Sequence, residues 1–214
     1  MKNHSLHSIR KDYISGQLLE KNVYLDPFNQ FSSWINVAME NGEAEPTAMT
    51  LATVDLYGCP SARIVLLKHF SEKGFEFFTN YESQKGNDIS DNQNVALLFF
   101  WSGLERQVRI VGHAEKLTVK ESDEYFLSRP FESQLAVYAS PQSRVIPNRE
   151  YLIDRFLVYQ KQFSSEGIKR PDYWGGYRVN PKTIEFWQGG AARLHDRLRY
   201  TLLEGEWIIE RLAP

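Results

Sequence analysis

The sequence predicts a mainly β protein with accessory helices, an antiparallel Greek-key-like barrel, and three observations lead there. Short apolar segments follow one another at residues 49–54, 62–67, 75–78, 95–101 and 107–114. Between most of them lie only turn-rich pieces, such as Tyr57-Gly58, Glu72-Lys73-Gly74 and Ser102-Gly103. Strands so closely spaced, without intervening helices, pair antiparallel in a barrel or sandwich. The chain of 214 residues, 42% hydrophobic and 14% aromatic, is also long enough to bury a sizeable core.

Taken in order, residues 1–22 are polar and are expected to form a segment that is mobile in the absence of a ligand, ahead of one domain over 23–214. Asp26-Pro27 is a helix-start signal, and Phe28, Phe31, Trp34, Ile35 and Ala38 recur at helical spacing up to a stop near Asn41-Gly42. The strands listed above follow, and the segment from Phe78 to Gly86 is a polar loop leading into a helix. Helical patterning returns at 119–128, around 133–138 and from 149 to about 163. Strands resume at 176–179, 183–187, 193–202 and 206–212, the last two joined by a hairpin turn at Glu204-Gly205. No internal repeat or low-complexity tract interrupts this order.

Composition excludes several functions. With 25 Lys and Arg against 27 Asp and Glu, the net charge is −2, so no overall field gathers nucleic acid or an anionic membrane. Any basic site must be local. Cys59 is the single cysteine and lies in a turn, which argues against a disulfide and against an activated thiol. The start lacks a signal peptide's apolar run and no stretch of 18 apolar residues occurs, so a soluble, cytoplasmic protein is expected.

Several residues can carry chemistry. Arg193, His195 and Arg197 alternate, so on a regular strand they share one face and favour an anion; the alternative is a solvated strand face. No Cys or acidic partner gives His195 metal-ligand spacing, and no metal is expected. Trp187 lies just upstream, and Gly189-Gly190 lets the backbone turn or approach a ligand. Arg63 and Lys68 bracket an apolar strand, on opposite faces if it is regular, or are ordinary strand-end charges. Free backbone N–H groups where the segment Phe78 to Gly86 leads into a helix can receive phosphate oxygens, a weak signal as a lone pattern. Gln107 can donate and accept at a heterocycle edge, or serve as a structural hydrogen bonder. Tyr125, Arg129 and Ser133 are spaced by four, and Pro130 puts Ser133 in or near the first turn of a new helix. A phenol, a guanidinium and a hydroxyl converging there could form a phosphate cradle, though spacing alone does not decide it.

The segments Arg63-Ile64-Val65-Leu66-Leu67-Lys68, Phe77-Phe78-Thr79-Asn80, Glu105-Arg106-Gln107-Val108, Tyr125 to Gln134, Trp174-Gly175-Gly176-Tyr177-Arg178-Val179, Ile184 to Arg197 and the ending Trp207 to Pro214 resemble the pyridoxamine 5′-phosphate oxidase family, in its order, from about residue 10 onward. The resemblance implies a split β-barrel that binds FMN at a homodimer interface. It further implies oxidation of pyridoxamine 5′-phosphate or pyridoxine 5′-phosphate to pyridoxal 5′-phosphate, with O2 as acceptor and H2O2 as product. FMN contacts carried over are Arg63, Ile64, Val65, Leu66, Leu67, Lys68, Phe78, Thr79, Gln84, Lys85, Gln107, Gln142, Ser143, Trp187 and Arg197. Gln84 departs from the family's usual arginine. Lys68, Tyr125, Arg129 and Ser133 match the substrate-phosphate positions. Arg193 and His195 match catalytic residues facing the substrate ring, and Arg10, Lys11, Asp12 and Tyr13 match the segment that closes over it. Two rival readings are a split-barrel flavin oxidoreductase with another substrate, against which the phosphate cradle argues, and a non-catalytic FMN or pyridoxal-phosphate binder, against which Arg193 and His195 argue.

Overall fold

A computed structural model describes residues 7, 12–14, 16–163 and 167–214; Arg10 and Lys11 lie outside the described residues. In chain order the elements are α1 (Pro27–Glu40), β1 (Ala48–Val54), β2 (Pro60–Leu66), β3 (His69–Ser71), β4 (Gly74–Asn80), α2 (Gln84–Asp91), β5 (Asn94–Trp101), β6 (Arg106–Lys116), α3 (Val119–Ser128), α4 (Phe131–Ala139), α5 (Arg149–Phe163), β7 (Trp174–Gln188), β8 (Asp196–Leu203) and β9 (Glu206–Arg211). The strands form a sheet in the order β2-β1-β5-β6-β7-β4-β3, with β8 paired to β7 and β9 to β8. The register-defined pairs β1–β2, β3–β4, β4–β7, β7–β8 and β8–β9 are all antiparallel. The chain packs as two compact units, one of Thr47–Leu97 and Val111–Pro181, the other of the described residues up to Pro46 with Leu98–Ile110 and Lys182–Pro214.

In the first unit, local chemistry sets the turns and helix starts. The Asp55 carboxylate accepts the N–H groups of Tyr57 and Cys59, closing the β1–β2 hairpin and leaving Cys59 exposed. Ser83 caps α2, its hydroxyl accepting the Gly86 N–H. Thr118 and Glu121 form a reciprocal capping box at α3. Phe126, Leu135, Val137, Ile168 and Trp174 make a buried cluster that Phe78 and Tyr125 join from its edge.

In the second unit Asp26 caps α1 through the Phe28 and Asn29 N–H groups, with Pro27 at the first position, as the sequence indicates. Phe28, Phe31, Trp34, Ile35 and Ala38 are all buried. Trp34 meets Phe186 edge-on at 5.2 Å, and Phe31 packs against Phe99 and Trp101.

Three expectations are corrected. The strands expected at 176–179 and 183–187 are one strand, β7. Pro181 reads as a break, but β7 pairs with β4 as far as Val179 and with β8 from Thr183, so the missing N–H falls where the strand changes partner. Gly112 permits the close approach there: a Cβ on it would lie 2.2 Å from the Asn180 carbonyl oxygen. Secondly, β8 begins at Asp196, not at 193. Ala192 and Arg193 have φ of 53° and 63°, left-handed values that place them in a tight turn. Arg193, His195 and Arg197 therefore do not line one strand face. Thirdly, β2 ends at Leu66, so the alternation argument does not reach Lys68. The short strand β3 was not foreseen.

Candidate functional site

The first unit contains a cleft of about 680 Å³ lined by Arg63, Ile64, Val65, Leu66, Lys68, Phe78, Thr79, Lys85, Tyr125, Arg129, Pro130, Ser133, Gln142 and Trp174. Lys68 reaches it because the chain has left β2, and its N–H bonds to the Glu76 carbonyl. Arg129 follows the end of α3, and Ser133 is the third residue of α4, where helical N–H groups lack intrahelical acceptors. The structure thus gathers most of the residues expected on this side. Leu67 is instead buried at 5% exposure, Gln84 turns its amide to the Ser61 hydroxyl, and Ser143 is exposed with φ of 68°.

The cleft is cationic and desolvated. No carboxylate lines it among the described residues. Burial lowers the pKa of Arg63, with Asp88 opposing the shift. It also lowers that of Lys85, where the charge of Arg63 adds to the effect, and that of Arg129. Arg63 is braced by the Thr53 hydroxyl at 2.7 Å and lies 3.6 Å from the Asp88 carboxylate. Lys85 donates to the Ser83 hydroxyl at 3.4 Å. Arg129 stacks its guanidinium 4.7 Å from the Trp174 ring centre, and its buried Nη1 has no hydrogen-bond partner among the described residues. Three cations placed so can gain from an anion what burial has cost them.

One wall is aromatic. Phe78 and Tyr125 stack at 3.7 Å, and Trp174 lies nearly parallel to both, at 5.7 and 6.2 Å. Burial raises the pKa of the Tyr125 hydroxyl, so it remains a proton donor at neutral pH. Gln142 accepts from the Thr79 hydroxyl and the Asn80 N–H, both at 3.4 Å. Pro130 and Trp174 were not picked out as site residues by sequence reasoning. Trp174 opened a recognisable motif, but an aromatic at a ligand edge and one in a core look alike in sequence.

The second unit holds another cluster. Trp187, the tilted ring of His195 at 4.8 Å and Tyr13, edge-on to Trp187 at 5.6 Å, stand together. The Gly190 N–H donates to His195 Nδ1 at 3.1 Å, so a neutral His195 carries its proton on Nε2. Arg197, opposite Trp187 in the β7–β8 register, donates through Nε to Glu185 at 2.8 Å and through Nη1 to the Ala213 carbonyl. Glu185 is 4% exposed and also pairs with Arg109 at 3.2 Å. Sequence reasoning missed this brace, because a lone Glu in an apolar strand carries no signal of its partners. Gln107 is half-buried on β6, while Arg193 and Asp12 are exposed. No group of three or more His, Cys, Asp or Glu suited to a metal occurs among the described residues, and none of their helices is long and apolar enough to cross a membrane.

An antiparallel sheet carrying a cationic, aromatic-walled cleft defines the class: a split-barrel protein suited to an aromatic phosphate. The family described as pyridoxamine 5′-phosphate oxidase matches residues 36–162, and the pyridoxine 5′-phosphate oxidase C-terminal dimerisation region matches 174–214. The chain belongs to the pyridoxamine 5′-phosphate oxidase family. It is 51% identical over 211 residues to the pyridoxine/pyridoxamine 5′-phosphate oxidase of Gloeothece citriformis, covering 98% of this chain and 99% of that one. With the enzyme of the same name from Teredinibacter turnerae, identity is 50% over 210 residues, covering 98% and 100%. Among solved structures, PhzG from Burkholderia lata in complex with tetrahydrophenazine-1-carboxylic acid has a TM-score of 0.87 at 28% identity, covering 94% and 100%. A pyridoxamine 5′-phosphate oxidase-related, FMN binding protein from Nostoc punctiforme has a TM-score of 0.71 at 15% identity, covering 90% and 100%, and supports the fold alone.

Proposed function

We propose that the protein is an FMN-dependent oxidase that converts pyridoxine 5′-phosphate or pyridoxamine 5′-phosphate to pyridoxal 5′-phosphate, reducing O2 to H2O2 and, from the amine, releasing ammonia. The observation that carries this reading is the partnerless, buried Nη1 of Arg129 in a cleft where Arg63 and Lys85 are also desolvated. Such a cleft fits phosphate-bearing ligands. FMN would be held by Arg63, Lys85, Thr79, Gln142, residues 64–66 of β2 and Lys68, and, as the family resemblance assigns them, by Gln107, Trp187 and Arg197. Gln84 and Ser143 belong to this proposed set through their neighbours Lys85 and Gln142. When bound, FMN supplies the acceptor for the hydride equivalent leaving the substrate's C4′ carbon.

The chain's own residues position and exclude. Lys68, Arg129 and the protonated Tyr125 hydroxyl would take the substrate phosphate, with Ser133 adding a hydroxyl in the first turn of α4. Arg193 and the Nε2–H of His195 would face the substrate ring and orient it for transfer. Asp12 and Tyr13, with Arg10 and Lys11, would close over it. The dimerisation-region match supports a homodimer in which each site takes residues from both copies.

The test is direct. Purified protein should be yellow, and pyridoxine 5′-phosphate added in air should yield pyridoxal 5′-phosphate and peroxide in equal amounts. A yellow protein that forms neither would favour the rival reading of a split barrel with another substrate.

A further inference from the structure

Of the motif Glu105 to Val108, only Gln107 has a part in the proposed reaction. Glu105 is nevertheless 2% exposed and has a φ of 55°, a left-handed value uncommon for a residue other than glycine. Both of its polar ends are engaged. Its carboxylate accepts the Ile14 N–H at 2.8 Å. Its backbone carbonyl accepts the Gly189 N–H at 2.8 Å and the Gln188 amide at 3.2 Å. Ile14 follows Tyr13, whose ring stands against Trp187 and His195. Gly189 opens the loop that leads to His195, and a Cβ on it would lie 2.8 Å from the Tyr13 side chain and 3.0 Å from the Glu105 Cβ. One residue thus joins the N-terminal strap to the entry of the His195 loop.

The exit of that loop is tied to the same strap. Asp196, next to His195, accepts the Leu18 N–H at 2.9 Å and pairs with Arg211 at 2.6 Å. Arg211 in turn grips both carboxylate oxygens of Glu20 and the Leu18 carbonyl. The strap is anchored at both ends of the loop.

We propose that Glu105 is a positioning residue for the substrate side of the site: by docking Ile14 it holds Tyr13 against Trp187 and His195, and by its carbonyl it fixes where the His195 loop begins. This rests on the reading of Tyr13 and His195 as substrate-side residues. Glu105 itself needs to touch neither substrate nor cofactor.

Two measurements test it. In the apoprotein, hydrogen-exchange mass spectrometry of peptides covering Ile14 should show exchange up to about tenfold faster in Glu105→Ala than in the parent, the size expected for losing one hydrogen bond. In the loaded enzyme, Glu105→Ala should raise the KM for pyridoxine 5′-phosphate about tenfold with kcat and FMN affinity little changed. Tyr13→Ala should then add less than about twofold in the Glu105→Ala background, although it raises KM on its own. Ile14→Pro removes the donor while leaving Glu105 in place, and serves for the same cycle if Glu105→Ala does not fold. Unchanged exchange, or effects of Tyr13→Ala that simply multiply with those of Glu105→Ala, overturns the proposal. If the protein does not oxidise pyridoxine 5′-phosphate, the proposed activity fails while the exchange measurement still decides the anchor.

Discussion

At the scale of single residues, the cleft makes its strongest demand at Arg129. Its guanidinium lies over Trp174 and its Nη1 is buried without a partner among the described residues, so on the proposed reading a substrate phosphate would supply what the fold withholds. Arg129→Ala should raise the KM for pyridoxine 5′-phosphate about ten- to a hundredfold, corresponding to roughly 1.5–3 kcal/mol, while kcat changes far less. Steady-state kinetics at saturating FMN checks this, and equal losses in kcat and kcat/KM would place Arg129 elsewhere. At Gln84 the family resemblance leads to the expectation of an arginine. Gln84 itself sits at the start of α2 beside Lys85, its amide on the Ser61 hydroxyl. Gln84→Arg should tighten FMN binding by about 1 kcal/mol, with steeper salt dependence. Fluorescence titration of the apoprotein measures it, and a weaker or unchanged Kd would mean that the side chain does not face the phosphate. Legibility differs among such residues for a physical reason. Tyr125, Arg129 and Ser133 were readable because helical spacing and Pro130 determine their relation locally. The row Arg193, His195 and Arg197 misled because left-handed φ values at Ala192 and Arg193 break an alternation that residue types alone suggest.

At the scale of elements, the helices were legible where chemistry marks their ends. α1 begins after Asp26 at Pro27, and the bounds expected for α3 and α5 hold because their patterns are local. β7 was not legible as one strand, because the accommodation of Pro181 depends on which strands lie alongside. At α3, the Thr118 hydroxyl and N–H, followed by Arg178, hold the Glu121 carboxyl well below its ordinary value, at about 2. A carboxyl lowered on folding stabilises the native state above its unfolded pKa, and that contribution is lost as pH falls towards the folded value. Glu121→Gln should therefore be less stable than the parent near neutral pH, with the difference shrinking between about pH 4.5 and 2. Because the side chain is 39% exposed, solvent screening keeps the ionic part of the effect below about 1 kcal/mol. Urea unfolding at a series of pH values reads it, and a difference constant down to pH 2 would sink the assignment.

At the scale of the whole molecule, the match to a dimerisation region over residues 174–214 spans β7, β8 and β9, the elements that carry Trp187 and Arg197. If each site draws on two copies, dilution should release flavin as the dimer dissociates. Sedimentation and flavin fluorescence over one dilution series should then change together, and a monomer retaining full FMN would refute the shared site. The three desolvated cations of the cleft have a further consequence, in heat. Their burial, with the repulsion between Arg63 and Lys85, weakens the folded state alone, and any phosphate compound that binds there but not to the unfolded chain shifts the equilibrium by mass action. At a ligand concentration a hundred times Kd, the gain is about 2.7 kcal/mol, equivalent to roughly 5–10 °C in Tm for a chain of this size. Thermal melts with FMN, pyridoxal 5′-phosphate or inorganic phosphate should rise in proportion to the logarithm of concentration. In Arg129→Ala the response to pyridoxal 5′-phosphate should fall more than the response to FMN, so that the melting temperature reports which phosphate the protein is carrying.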